Sequence, residues 1–425
     1  MQGEHPFKWS GKSIGIDESV AQAAFAMVER TFTKQWLEKG LTNRIQETWA
    51  RNDFLAALEL YALGDSIQTL HALNPKKLSE LVRIIRKGGS ESHGFLYEIH
   101  ALAMLASSGC PVEPTFKAEP GFDARLTHPS GTQIRWSFKN HDITDAERTF
   151  RRFGADLYGR FRQRCRPGAL ERLIVHAERH LKPADFAEIG RALDGVWSGE
   201  AVIAAGDVVV SWRRLGAPPD QAPYAADRLS TQLTVVCKHP ELEQVRFRQK
   251  LSHAVENMQK HCPPADGQAN AILMRLHASA DVLLMLQDAR SVVDDPASGV
   301  DAVFFHQPSV VRTAGTIELL HYMTGTISPR YPQSVGLTFQ MPVGKFSTMP
   351  SGLGFSRDGV FTPLEGSYQY QAGDVVREAT ASPTGFEAHT GSPAAGIRQS
   401  VIFPIQGQRL ELLGRFAPSD ELLLI

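Results

Sequence analysis

The chain has 425 residues, more than one ordinary core organises, and its 42% hydrophobic and 21% charged content argues against a disordered chain. A formal net charge of −1 argues against a globally basic nucleic-acid binder, so any nucleic-acid face must be a local patch. Cys110, Cys165, Cys237 and Cys262 form no CxxC pair, which argues against a thiolate zinc site and a disulfide framework and points to a reducing, cytoplasmic compartment.

The opening "MQGEHPFKWSGKSIG" has no apolar core of signal-peptide type, and no apolar run approaches the ~20 residues that span a bilayer, so no membrane partner is expected. Residues 17–87 read as helical. "DESVAQAAFAMVERTFTKQWLEKG" starts on an acid-rich turn and stops at Gly40. "NPKKLSELVRIIRKGG" is bracketed by Asn74-Pro75 and Gly88-Gly89. An N-terminal helical module over residues 1–92 follows from this reading.

Residues 94–108, "GFLYEIHALAMLASS", form a nearly all-apolar helix with one acid, Glu98, and a helix apolar on most sides is buried. A β-hairpin comes next: "DARLTH" and "QIRWSFKNH" flank the turn "PSGT", with a further strand near "EPTFKAE". Tight pairing brings Asp123, at the start of one strand, beside Lys139, near the end of the other. Residues 144–165 return to helix, with Thr144 as N-cap and Glu147 at the capping-box position, and "ERLIVHAER" reads as a buried strand. "EAVIAAGDVVVSWRRL", "STQLTVVCKH", "ANAILMRLH" and "VDAVFFHQPSVV" read as strands and "PELEQVRFRQKLSHAVENMQKH" as a long helix. The alternation predicts an α/β core with a mixed sheet, carrying insertions, over residues 93–332. Residues 333–425 lack helical periodicity and are rich in Gly, Pro and Ser, which predicts a β-rich C-terminal region forming a small sheet.

Two carboxylates and a lysine at a sheet edge suit divalent-metal chemistry on phosphate: carboxylates hold Mg2+ while leaving waters on it, and a lysine offsets charge developing on the phosphate. Glu98 in "LYEIHAL", Asp123 in "PGFDARL" and Lys139 in "WSFKNH" carry a resemblance to the PD-(D/E)XK nuclease superfamily. It covers roughly Gly94 to His176, in the order helix, three strands, helix, strand. The resemblance implies a restriction-endonuclease-like core and a Mg2+ (or Mn2+)-dependent endonuclease acting on DNA, in restriction or phage defence. It also implies Asp123 and Glu98 as metal ligands, Lys139 as the residue that positions the attacking water, and a homodimer where both strands are cut.

Ser137 departs from the family pattern, which places Asp or Glu two residues before the lysine. Some similar restriction enzymes recover that acid from the following helix. Glu147 is then the candidate catalytic and metal-binding acid, ahead of Asp142 and Asp145; its other reading is a capping-box acid. If no neighbour replaces the acid, the chain is a catalytically inactive nuclease-fold protein that binds nucleic acid or a protein partner. Arg148, Arg151, Arg152, Arg160 and Arg162, interleaved with Phe150, Phe153, Tyr158 and Phe161, suit phosphate contact with base stacking, or else are the solvated face of a helix whose aromatics face a core. Lys238 in "TVVCKH" is a rival position for the motif lysine. The histidines of "HAERH" end a strand and do not form a helical zinc pair, and no P-loop is present.

Overall fold

The computed structural model describes the chain from Phe7 to Ile425, leaving outside the description residues 90–91, 117–119, 166–170, 178, 196–200, 206–207, 215–230, 238–240, 278–279, 281, 314–315, 333–334, 338, 348–353, 358–359, 364–365, 373–374, 383–384, 393–396, 404–407, 414–421 and 423. The N-terminal module is helical: α1 (Glu18–Phe32), α2 (Lys34–Leu37), α3 (Arg44–Ala50), α4 (Phe54–Leu73) and α5 (Pro75–Lys87). Side-chain caps set the starts: Asp17 accepts from the Ser19 and Val20 N–H groups, Asp53 from Ala56, and Asn74 from Lys77. Pro75 occupies the first turn of α5, and Gly88, at φ 76°, ends it.

α6 (Ser92–Ala106) follows, then β1 (Val112–Pro114), β2 (Ala124–Thr127) and β3 (Gln133–His141). Next are α7 (Asp145–Arg164), β4 (Glu171–Ala177), α8 (Pro183–Leu193), β5 (Ala201–Ala205), β6 (Val208–Arg214) and β7 (Thr231–Cys237). The chain continues through α9 (Glu241–His261), β8 (Gln268–Leu276), α10 (Val282–Asp294), β9 (Ala302–Thr313) and β10 (Thr316–Ile327). It ends in β11 (Lys345–Ser347), β12 (Gly354–Arg357), β13 (Val360–Pro363), β14 (Gly366–Ala372), β15 (Val375–Ser382), β16 (Gly385–Ser392), β17 (Ile397–Phe403) and β18 (Gln408–Leu413).

The architecture is α/β with mixed sheets. A seven-stranded sheet runs β1-β2-β3-β8-β9-β10-β11, with β3, β8 and β9 parallel to one another. Side-chain alternation divides it between two cores. Ile134, Trp136 and Phe138 of β3 and Ala269, Ala271 and Leu273 of β8 face a core shared with α1, α4, α5 and α6. Ile272, Met274 and Leu276 face the other way, onto Phe247, Leu251 and Met258 of α9 and Met285 and Ala289 of α10.

A second sheet, ordered β18-β7-β4-β6-β5, has its own core with α7 and α8. This corrects the sequence-based assignment of α7 and β4 to the main core. The parallel neighbour of β3 is β8, reached through α9, so residues from α7 to β7 are an insertion with a separate hydrophobic centre. A parallel neighbour must be buried on both faces, and β8 is buried at every position after Gln268. The expected single C-terminal sheet is also redistributed. β11 joins the main sheet and β18 the second, while β14 to β17 form an antiparallel sheet of four strands and β12 and β13 pair with each other. Lys238 lies outside the described residues.

α1 and α4 cross at Gly64, where an added β-carbon would overlap the carbonyl group of Ala24. Gly64→Ala should therefore destabilise the protein by roughly 1–3 kcal/mol in urea unfolding, although alanine is the better helix former by about 1 kcal/mol. Unchanged or raised stability would show that the two helices are free to separate.

Candidate active site

β2 and β3 pair from Thr127↔Gln133 to Ala124↔Trp136, and beyond Trp136 the strand β3 continues beside β8 without β2. Asp123 stands at that split, opposite Ser137 if the register is extended by one residue. The Asp123 N–H donates to the Trp136 carbonyl at 2.7 Å, and its Oδ2 accepts the Phe138 N–H at 2.6 Å. The carboxylate thus spans the point where the strands part. Lys139 is the next residue after Phe138. It is half-buried, and its ammonium has no hydrogen bond or ion pair among the described residues. Ser137, two residues before it on the same face of β3, is buried.

Glu98 lies on the buried side of α6, only 6% exposed. The Lys77 ammonium of α5 stands 2.8 Å from its Oε1. Burial, and then the Asp123 charge, push the Glu98 carboxyl up to about 7 despite Lys77. The structure therefore brings Glu98 within electrostatic reach of Asp123, and the element that follows Asp123 across the hairpin carries Lys139.

The third acid is not supplied by Asp142 or Asp145. Asp142 Oδ2 is held by Arg44 at 2.5 Å and by His93 Nδ1 at 3.0 Å, and Arg275 lies 4.0 Å from its Oδ1. Burial works against its charge, but these partners outweigh it and hold the carboxyl far below the carboxylate range. Asp145 is exposed and pairs with Arg148 at 2.7 Å. The Glu147 backbone belongs to α7, and its side chain lies outside the described residues, as does that of Arg151.

The arginines of α7 divide from its aromatics. Phe150, Tyr158 and Phe161 are buried in the second core, and Phe150 and Phe153 pack against Phe186 of α8. Arg148, Arg152, Arg160 and Arg162 are exposed; Arg152 lies over Phe153, Arg162 over Tyr158, and Arg160 crosses α8 at Gly190.

A group missed by sequence reasoning lies further along β3. His141, Glu243 and His277 are buried, and Nε2 of each histidine is 2.7 Å from Glu243 Oε1. Burial opposes the Glu243 charge, but hydrogen bonds from both imidazoles outweigh it and hold the carboxyl far below its usual range. The available signal was that "KNH" and "RLH" both end in histidine, and it acquires meaning only once β3 and β8 are neighbours.

No family model, curated protein or solved structure matches the chain. The group that the sequence resemblance implies is Mg2+. Asp123 and Glu98 fit it in kind, because Mg2+ is bound through one or two carboxylates while waters and substrate phosphates complete its shell. A like-charge pair that raises Glu98 is also an arrangement that a cation relieves. The fit is incomplete in number: among the described residues no third His, Cys, Asp or Glu joins them.

The raised carboxyls fix a pH dependence. Glu98 and the fully buried Glu59 are both shifted from 4.5 to about 7. Between these values the folded chain keeps protons that the unfolded chain has released. Their contribution is thus fully present below about pH 4.5 and is lost as pH rises through about 7. Glu98→Gln removes one titrating group, so its loss of stability from pH 5 to 7.5 in chemical denaturation should be smaller than that of the wild type. Equal losses would contradict the assignment.

Proposed function

We propose that the chain is a metal-dependent nuclease hydrolysing phosphodiester bonds of nucleic acid, DNA first among them. The observation that carries this reading is the Asp123 carboxylate at the split of β2 and β3, bound to the Phe138 N–H, with Lys139 next on β3 and its side chain without a partner among the described residues. The Glu98 carboxyl, within electrostatic reach of Asp123, supports it, as does the order helix, three strands, helix, strand formed by α6, β1, β2, β3, α9 and β8 once the α7–β7 insertion is set aside.

Asp123 and Glu98 would hold Mg2+ or Mn2+. When bound, the ion supplies a water of lowered pKa and a clamp on phosphate oxygens. The Phe138 N–H fixes the orientation of Asp123, and the Lys139 ammonium offsets charge developing on the phosphate. The exposed arginines of α7 offer a salt-sensitive surface for the phosphate backbone. Restriction or phage defence, a cytoplasmic setting and a homodimer belong to the same proposal. No helix among the described residues is long and apolar enough to cross a membrane.

Two observations favour a second reading, a catalytically inactive nuclease-fold protein that binds nucleic acid or a protein partner. Lys77 already neutralises Glu98, and Ser137 stands where a ligand acid is expected. Incubation with supercoiled plasmid and Mg2+ or Mn2+ separates the two. The nuclease reading expects nicking by the wild type, abolished in Asp123→Ala and Lys139→Ala with the unfolding transition intact. Full activity in either variant sinks the site assignment. Salt-dependent binding by the wild type without cleavage establishes the second reading.

A further inference from the structure

We propose that His141, Glu243 and His277 form a binding site for a transition-metal ion of the zinc class, separate from the carboxylate site at Asp123. Three elements meet there. His141 is the last residue of β3, His277 follows the last residue of the parallel strand β8, and Glu243 lies in the first turn of α9. The His277 N–H donates to the His141 carbonyl at 3.1 Å, which fixes the two imidazoles side by side with ring centroids 5.5 Å apart.

The donor set points to the ion. Two imidazoles and one carboxylate suit Zn2+ and its neighbours, whereas Mg2+ prefers oxygen ligands throughout. The ligand atoms of the three residues all lie within 4.8 Å of one another. A tetrahedral ion with bonds of about 2.0–2.1 Å separates its ligands by roughly 3.3 Å, so the contacts of 2.7 Å need only open slightly to admit one. The side chains are 1%, 4% and 3% exposed, and Glu243 Oε2 is buried with no hydrogen-bond partner among the described residues. An orphaned carboxylate oxygen in the interior is costly, and a second bond to a cation satisfies it.

The surroundings are built to hold the geometry. Phe247 of α9 packs edge-on against the His141 ring at 5.7 Å. The Gln307 amide donates to the carbonyls of His277 and Ala280 at 3.0 and 2.9 Å, which ties both residues to β9. An ion bound here would cross-link the start of α9 to the ends of β3 and β8. It would hold β3 two residues beyond Lys139 and on the same face. This site stands independently of the nuclease reading.

The test uses the full chain stripped of metal and titrated with Zn2+ against a chromophoric chelator, with Co2+ absorption as a second probe. One ion per chain is expected, together with a rise in Tm on adding Zn2+. Glu243→Gln and His277→Ala should weaken binding by at least roughly tenfold. If His277→Ala does not fold, the wild-type titration decides. No stoichiometric Zn2+ or Co2+ binding by the wild type, or undiminished binding by a folded Glu243→Gln, overturns the proposal.

Discussion

The parallel pairing of β3 with β8, in register from Gln133↔Gln268 to His141↔Leu276, is the constraint on which the rest depends. It makes β3 outlast its hairpin partner, and that is why Asp123 meets an open split and not a closed ladder. Both strands have a core on each face, so their register is strongly specified. A slip of one residue would exchange Trp136 and Phe138 with Ser137 and Lys139 between the two cores. The same pairing places His141 and His277 at adjacent strand ends.

A second set of contacts ties the helical module to this sheet. Asp142, just past β3, is gripped by Arg44 of α3 and His93 of α6, with Arg275 of β8 on its other side. Arg275 is itself fully buried and reaches Asn140 at 3.2 Å. Burying such charges is costly, and the cluster is tolerable only because each has opposite charge or a carbonyl beside it. Asp142 is therefore a structural hub. Its Oδ2 is committed to Arg44 and His93, and Arg275 faces its Oδ1, so its charge is already met by structural partners.

Much of the local structure was legible in the sequence because it is written in periodicity and caps. Helices α5 and α6, the turn "PSGT" and the apolar strand "ANAILMRLH" are of this kind, whereas the break at Thr33 that divides α1 from α2 falls inside a stretch that reads as one helix to Gly40. Partner choice was not legible: "ERLIVHA" and "ANAILMRL" are both apolar enough for an interior strand, and nothing local says which lies beside β3. The same limit governs the site. Asp123 and Lys139 could be related through hairpin register, which is a local property. Lys77 opposite Glu98, Arg44 on Asp142 and Glu243 between two histidines are meetings of distant segments. The aromatics of α7 turned inward because the insertion has a core of its own, which its sequence does not separate from the main one.

The segment from Leu422 to Ile425 has a consequence for the order of events during synthesis. Glu59 accepts the Leu424 N–H at 2.7 Å, and Arg275 donates to the Ile425 oxygen at 2.7 Å. Glu59 leaves the ribosome hundreds of residues before Leu424 does. Until the later segment arrives, the Glu59 carboxyl of α4 lacks the Leu424 N–H, and the Arg275 guanidinium of β8 has Asn140 and Asp142 but not the Ile425 oxygen. These two contacts between the helical module, the sheet and the last residues are therefore the latest to become available as the chain is made.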